Sequence, residues 1–209
     1  MAADFPTSLP DAVTFDDDDT PGGVDLPEFL NQNRDELRAL GTKLGTGSST
    51  PASDTSLEGT GSGTSGWNKR AKAQVYHNAD QSVANSTETA LAFNSERFDN
   101  DTIHDTSSNN SRLTCKTAGL YLIVANVRWD ANTTGGRVLN IRLNGGTKIA
   151  ESAAAPTPSS VMSHNLTTIY QLAVNDYVEV VATQFSGGPL DVKYVADASP
   201  NFMMVRLSA

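Results

Sequence analysis

The stretch GLYLIVANVRW, Gly119 to Trp129, constrains this chain more than any other. Tyr121, Ile123, Ala125, Val127 and Trp129 fall on one side of a period-two repeat. Leu120, Leu122 and Val124, then Asn126 and Arg128, fall on the other. Successive side chains alternate sides only in an extended strand, and one face wholly apolar must be covered by a second layer. The same period recurs from Trp67 onward. AKAQVYHN and ETALAFN alternate, and RVLNIRLNGG turns Leu139, Ile141 and Leu143 inward and Asn140 and Arg142 outward. It ends in Asn144-Gly145, a hairpin-type pair. VMSHNLTTIYQLAVNDYVEVVATQF reads as two long strands joined by a tight turn at Asn175-Asp176, and LDVKYV and NFMMVRLS complete the set. About eight to ten strands with closely spaced turn signals predict an all-β protein, an antiparallel sandwich or jelly roll over 67–209.

The N-terminal third has a different character. The chain is 38% hydrophobic, which is low for a globular protein, and the deficit lies in residues 1–66. Residues 1–24 read as an extended segment broken by Pro6, Pro10 and Pro21, with an acidic run, Asp16 to Asp19. Such a run is a solvated linker, a contact for a basic partner surface, or a cation site. Residues 25–45 carry a helix signal. Asp25 is a good N-cap, Glu28 completes a capping box, Pro27 lies in the first turn, and Gly41 is a natural stop. Leu26, Leu30, Asn33, Leu37, Leu40 and Leu44 are spaced four, three, four, three, four, an a/d seam with one polar member. Each leucine contributes about 1.5–3 kcal/mol if buried, whereas ordering each residue costs about 1.5 kcal/mol. The helix therefore needs a surface, either the body of its own chain or other copies of itself. Residues 46–66, rich in Gly, Ser and Thr, read as a flexible spacer reaching about 25 Å.

Charge and motifs remove several function classes. The net charge is −9 with no basic stripe, which argues against nucleic acid and against an anionic membrane surface. No apolar run approaches the length of a membrane span, and MAADFPTSLPDAVTF lacks the features of a secretory leader. The chain is thus expected to be made as a soluble intracellular product that leaves the cell, if at all, by another route. The lone Cys115 reads as a small buried strand residue. His77, His104 and His164 show no metal-ligand spacing, and neither a nucleophile elbow nor a phosphate loop is present. No cofactor, metal or catalytic residue is expected. Asp99, Asp101 and Asp105 cluster near His104. They read as a polar loop bonding its own backbone, with a cation site or an acid/base pair as the functional alternative.

The region FDNDTIHDTSSNNSRLTCKTAGLYLIVANVRWDANTTGGRVLNIRLNGG resembles the jelly-roll head of complement C-one-q and tumour-necrosis-factor-type proteins. Gly119-Leu120-Tyr121 matches the tripeptide that opens a long central strand in that family. Asn175-Asp176-Tyr177-Val178 matches its late turn with Asn in place of Gly, and SPNFMMVRL matches its closing strand. HDTSSNNSRLT, together with the hairpin after the tripeptide, is similar to the form found in structural proteins of tailed bacteriophages. The likeness spans roughly 70–209 and lacks a collagen-like stalk, so it implies no complement role. It implies a homotrimer, with Tyr121, Ile123, Tyr170, Val178, Val180 and Phe202 in the head core or at the trimer axis. Three heads on one axis would raise the effective concentration of the leucine stripe enough to offset its ordering cost. The expectation that follows is a virion-surface protein, a capsid or tail fibre or decoration spike. Residues 1–45 would hold other virion proteins, and the head would meet a host-surface glycan or protein or stabilise the shell. A carbohydrate-active depolymerase and a secreted adhesin are the alternatives.

Overall fold

The computed structural model describes residues 54–61, 64–156, 160–196 and 198–209. The leucine stripe from Leu26 to Leu44 and the acidic run lie outside the described residues. Among the described residues the elements are all strands: β1 (Thr55–Gly61), β2 (Thr64–Lys69), β3 (Lys72–Tyr76), β4 (Gln81–Val83), β5 (Thr89–Ala90), β6 (Ser95–Asp99) and β7 (Arg112–Thr114). Then follow β8 (Gly119–Trp129), β9 (Arg137–Leu143), β10 (Thr147–Ala154), β11 (Met162–Leu172), β12 (Tyr177–Gln184), β13 (Leu190–Val192) and β14 (Asn201–Ser208).

Two antiparallel sheets face each other as a jelly roll. In the five-stranded sheet β10, β9 and β12 run side by side, and β12 receives β5 and β7 on its other edge. In the seven-stranded sheet β8 is flanked by β11 along its full length and by β14, beyond which lie β3 and β6. β13 continues beside β8 at Trp129 and carries β4. The alternation expected in β8 is realised residue by residue: Tyr121, Ile123, Ala125, Val127 and Trp129 are fully buried and the intervening residues half-buried. Opposite them lie Leu139 and Ile141 of β9 and Val178, Val180 and Ala182 of β12, all buried. Phe202 and Met204 of β14 fill the space beside Phe93, whose ring lies 5.5 Å from that of Phe202. Burying one such side chain contributes about 1.5–3 kcal/mol, so this interface between the sheets is the main source of stability.

The turns follow from their residues. Asn144 and Gly145 both have positive φ, 51° and 72°, and Gly146 N–H donates to the Leu143 carbonyl at 3.1 Å, a type I′ hairpin between β9 and β10. Asn175 takes φ 73°, the left-handed conformation expected where the related pattern has Gly. That turn carries the chain from β11 in one sheet to β12 in the other, so the two long strands are not a hairpin. Gly119-Leu120-Tyr121 also has a local reason. A Cβ at Gly119 would lie 2.3 Å from the Ser208 carbonyl oxygen, and the Tyr121 hydroxyl donates to the Thr117 carbonyl at 2.6 Å.

Two expectations need correction. The spacer expected over 46–66 becomes structure from Thr55: β1 and β2 pair as a two-stranded sheet with Leu57 opposite Trp67. Ladder hydrogen bonds need no apolar core, and composition alone hid the pairing. The hairpin is hooked to the sandwich by Glu58. Its carboxylate accepts from Ser56 and Asn68, each at 3.0 Å, and lies 3.4 Å from the buried Arg206 guanidinium. Desolvation raises the Glu58 pKa, but these donors outweigh it and leave it below the usual carboxylate value. Glu58→Gln should loosen the hairpin by about 1.5–3 kcal/mol, the worth of a hydrogen bond to a charged group. Hydrogen exchange of the β1 and β2 amides would measure it, and unchanged protection would refute the hook. The second correction concerns Asn140, expected to face solvent. It is buried, opposite the buried Val181 of β12, and its Oδ1 has no hydrogen-bond partner among the described residues.

Candidate functional site

The alternation that fills the core leaves a second apolar surface, on the outer side of the seven-stranded sheet. Leu122 of β8 stands between Val205 of β14 and Ile169 of β11, and Val124 between Met203 and Thr167. Leu120 extends the surface to one end. Ile169 is 55% exposed and Leu207 48% exposed. Polar residues frame this patch. Asn126 is flanked by Asn165 and Asn201 in one row across three strands, and Lys72 and Gln74 of β3 stand beside Val205 and Met203. A sheet face with an apolar centre and an amide and lysine rim has the anatomy of a protein interface.

The six head residues singled out from the sequence all lie on the other side. Tyr121, Ile123, Val178, Val180 and Phe202 are fully buried between the sheets, and Tyr170 is half-buried against the same core. None of them reaches the outer face. The residues that do reach it were legible in the sequence as the opposite parity of the same strands. Leu120, Leu122 and Val124 make the first half of β8 apolar on both sides, the mark of a strand covered on both sides.

In the acidic cluster Asp99 and Asp105 are tied to their own loop, and Asp101 to groups outside it. Asp99 accepts from the Asp101 and His104 amides at 2.9 and 2.8 Å. Asp101 accepts from Lys69 Nζ and the Thr117 hydroxyl, both at 2.8 Å. Asp105 accepts from the Ser108 and Ser107 amides and the Ser107 hydroxyl, which hold its carboxyl below the usual value. His104 is buried, with Nδ1 2.9 Å from Glu96 Oε1 and Nε2 3.2 Å from the Asn110 carbonyl. These contacts fit the loop-bonding reading for Asp99 and Asp105, whereas Asp101 bonds side chains of Lys69 and Thr117 instead. Among the described residues, no group of three or more His, Cys, Asp or Glu is placed to hold a metal ion. Cys115 is buried, and desolvation raises its thiol pKa.

This loop and the edge formed by β7 and β12 enclose a cleft of about 430 Å³. Ile103 and His104 are its buried residues, and Thr102, Ser108, Asn109, Arg112, Lys116 and Tyr177 line it more openly. Thr102 and Asn109 have left-handed backbones, φ 54° and 53°. For β-branched Thr102 this costs on the order of 1–2 kcal/mol. Thr102→Gly should therefore raise stability by about 0.5–1 kcal/mol after the entropy cost of glycine. Urea denaturation would record the gain, and a loss would contradict the strain.

No family model matches the chain, and no curated protein does. Among solved structures, murine APRIL at pH 5.0 aligns over 66% of this chain and 100% of its own, with a TM-score of 0.50 and 13% identity. The globular domain of zebrafish complement 1qA aligns over 65% of this chain and 93% of its own, with a TM-score of 0.45 and 14% identity. The fold is that of the tumour-necrosis-factor-like jelly roll.

Proposed function

We propose that this chain forms a homotrimeric jelly-roll head that works by binding rather than by catalysis. Three copies pack the outer faces of their seven-stranded sheets around a common axis. The observation that carries this reading is the apolar centre of that face, where Leu122, Val124, Met203 and Val205 are half-buried and Ile169 is exposed in a single chain. Burying it in an assembly removes from water the surface that a lone sheet leaves wet. The fold supports the same reading, since the likeness to tumour-necrosis-factor-type heads noted from the sequence implies threefold assembly. Sedimentation of the full chain at micromolar concentration tests it. A trimer is expected, and a well-folded single chain would refute the proposal.

The setting we propose is the surface of a tailed-phage particle, as a capsid or tail fibre or decoration spike. Residues 1–45 attach to capsid or tail proteins, and the head meets a host-surface glycan or protein or braces the shell. Support comes from the phage-like form of the sequence around HDTSSNNSRLT and from the leucine stripe, which three heads on one axis would bring together. Leu37→Asp should weaken incorporation of the protein into particles, read by its copy number per particle, while head trimers persist in sedimentation. Loss of the head trimers as well would contradict this division of labour.

A further inference from the structure

We propose that the cleft between the Asp99–Ser111 loop and β7–β12 binds an acidic saccharide through Arg112 and Lys116, an inference that rests on the reading of the head as a binding module. Arg112 is held in place rather than mobile. Its guanidinium lies 4.1 Å over the Tyr177 ring, and its Nε donates to Glu179 at 3.2 Å. Glu179 is fixed in turn by the Ser111 hydroxyl at 2.8 Å. Among the described residues the two terminal amino groups of Arg112 and the ammonium of Lys116 have no protein partner. A forked, pre-oriented guanidinium with free N–H groups fits a carboxylate, and a second cation on the same cleft reinforces it.

The rest of the lining selects a hydroxylated ligand over a bare anion. Thr102 and Ser108 supply hydroxyls, and Asn109 supplies both an amide donor and an acceptor. These groups suit the alternating donors and acceptors of a sugar ring. The volume of about 430 Å³ falls in the range of small-ligand sites. The one acidic lining residue, Asp105, has Oδ1 turned onto three donors of its own turn. Arg112, paired with Glu179 through Nε alone, and the exposed Lys116 bring two cationic side chains to one cleft in a chain of net charge −9. The left-handed Thr102 and Asn109 both border the same cleft, and backbone held in such conformations concentrates at ligand sites. All the groups belong to one chain, so the site does not depend on assembly.

Calorimetric titration of the full chain with a hexuronic-acid-containing disaccharide tests the proposal. Saturable binding is expected, and the methyl ester of the same sugar should bind at least tenfold more weakly. Lys116→Glu, at an exposed position without an ion pair among the described residues, should weaken binding at least tenfold with the far-ultraviolet spectrum unchanged. Asn109→Asp, which tolerates the left-handed backbone, should do the same. Equal binding of the ester, unchanged affinity in both variants, or no saturation up to the solubility of the sugar overturns the proposal. Equal binding of inorganic phosphate overturns it as well, leaving only a simple anion site. A monomeric head should keep the same affinity per chain, so failure of the trimer and failure of the cleft are read separately.

Discussion

Val124→Glu should turn the proposed trimer into single chains that keep the jelly roll. Val124 lies on the central strand β8, points to the outer side, and is flanked by Met203 and Thr167. It takes no part in the core, where its neighbours Ile123 and Ala125 are fully buried. A glutamate here costs a lone head little, because its carboxylate stays in water. In the proposed trimer the same carboxylate is buried without a partner, at about 3–5 kcal/mol per chain. Threefold symmetry repeats that cost in every protomer, so the association constant falls by several orders of magnitude. Sedimentation velocity at micromolar concentration should give a single-chain species, with the near-ultraviolet spectrum of the buried Trp129 and Tyr121 retained. Persistence of a trimer would move the interface elsewhere. Loss of the near-ultraviolet signal would mean that the fold itself needs the partners, and the two outcomes are separable in one sample.

The contrast between Val124 and Tyr121 shows how much could be read from the chain. Alternation located β8 and its buried side to the residue, because a strand has only two faces and the apolar set chooses between them. Turn chemistry located the hairpin at Asn144-Gly145, and the family resemblance, with Asn in place of Gly, gave Asn175 its left-handed backbone. Alternation left core and axis undivided for Tyr121, Ile123, Tyr170, Val178, Val180 and Phe202, since an apolar residue is equally at home in either. Only the parity relative to the second sheet separates them. Asn140 and Glu58 fall outside local reasoning altogether. Asn140 is buried beside Val181 of β12, and Glu58 is held by Arg206, 148 residues away. The β1–β2 hairpin went unread because its Gly, Ser and Thr carry no periodicity of their own. The cleft was invisible for a related reason. Arg112, Lys116 and Tyr177 meet only because β7 pairs with β12.

Gly119→Ala should be the most costly single-methyl change in the head. Gly119 opens β8 at φ 156°, a backbone that L side chains rarely adopt. An added Cβ would lie 2.3 Å from the Ser208 carbonyl oxygen and 2.6 Å from Arg206 Nε. The first atom is backbone of the neighbouring strand, which cannot swing aside as a flexible side chain would. The register of β14 already shifts between Arg206 and Ser208 at this point, so further give is limited. Moving Arg206 also disturbs its 2.9 Å bond to the Ala118 carbonyl and its approach to Glu58, which loosens the β1–β2 hairpin. Overpacking and backbone strain together amount to about 3 kcal/mol. Gly188→Ala is the control: nothing lies within 4 Å of its Cβ position, so its effect should stay within about 0.5 kcal/mol. Urea midpoints compared at one fixed protomer concentration give the difference, since unfolding of an oligomer depends on that concentration. If Gly119→Ala and Gly188→Ala melt together, the close approach of β8 and β14 is not what the glycine of this tripeptide provides.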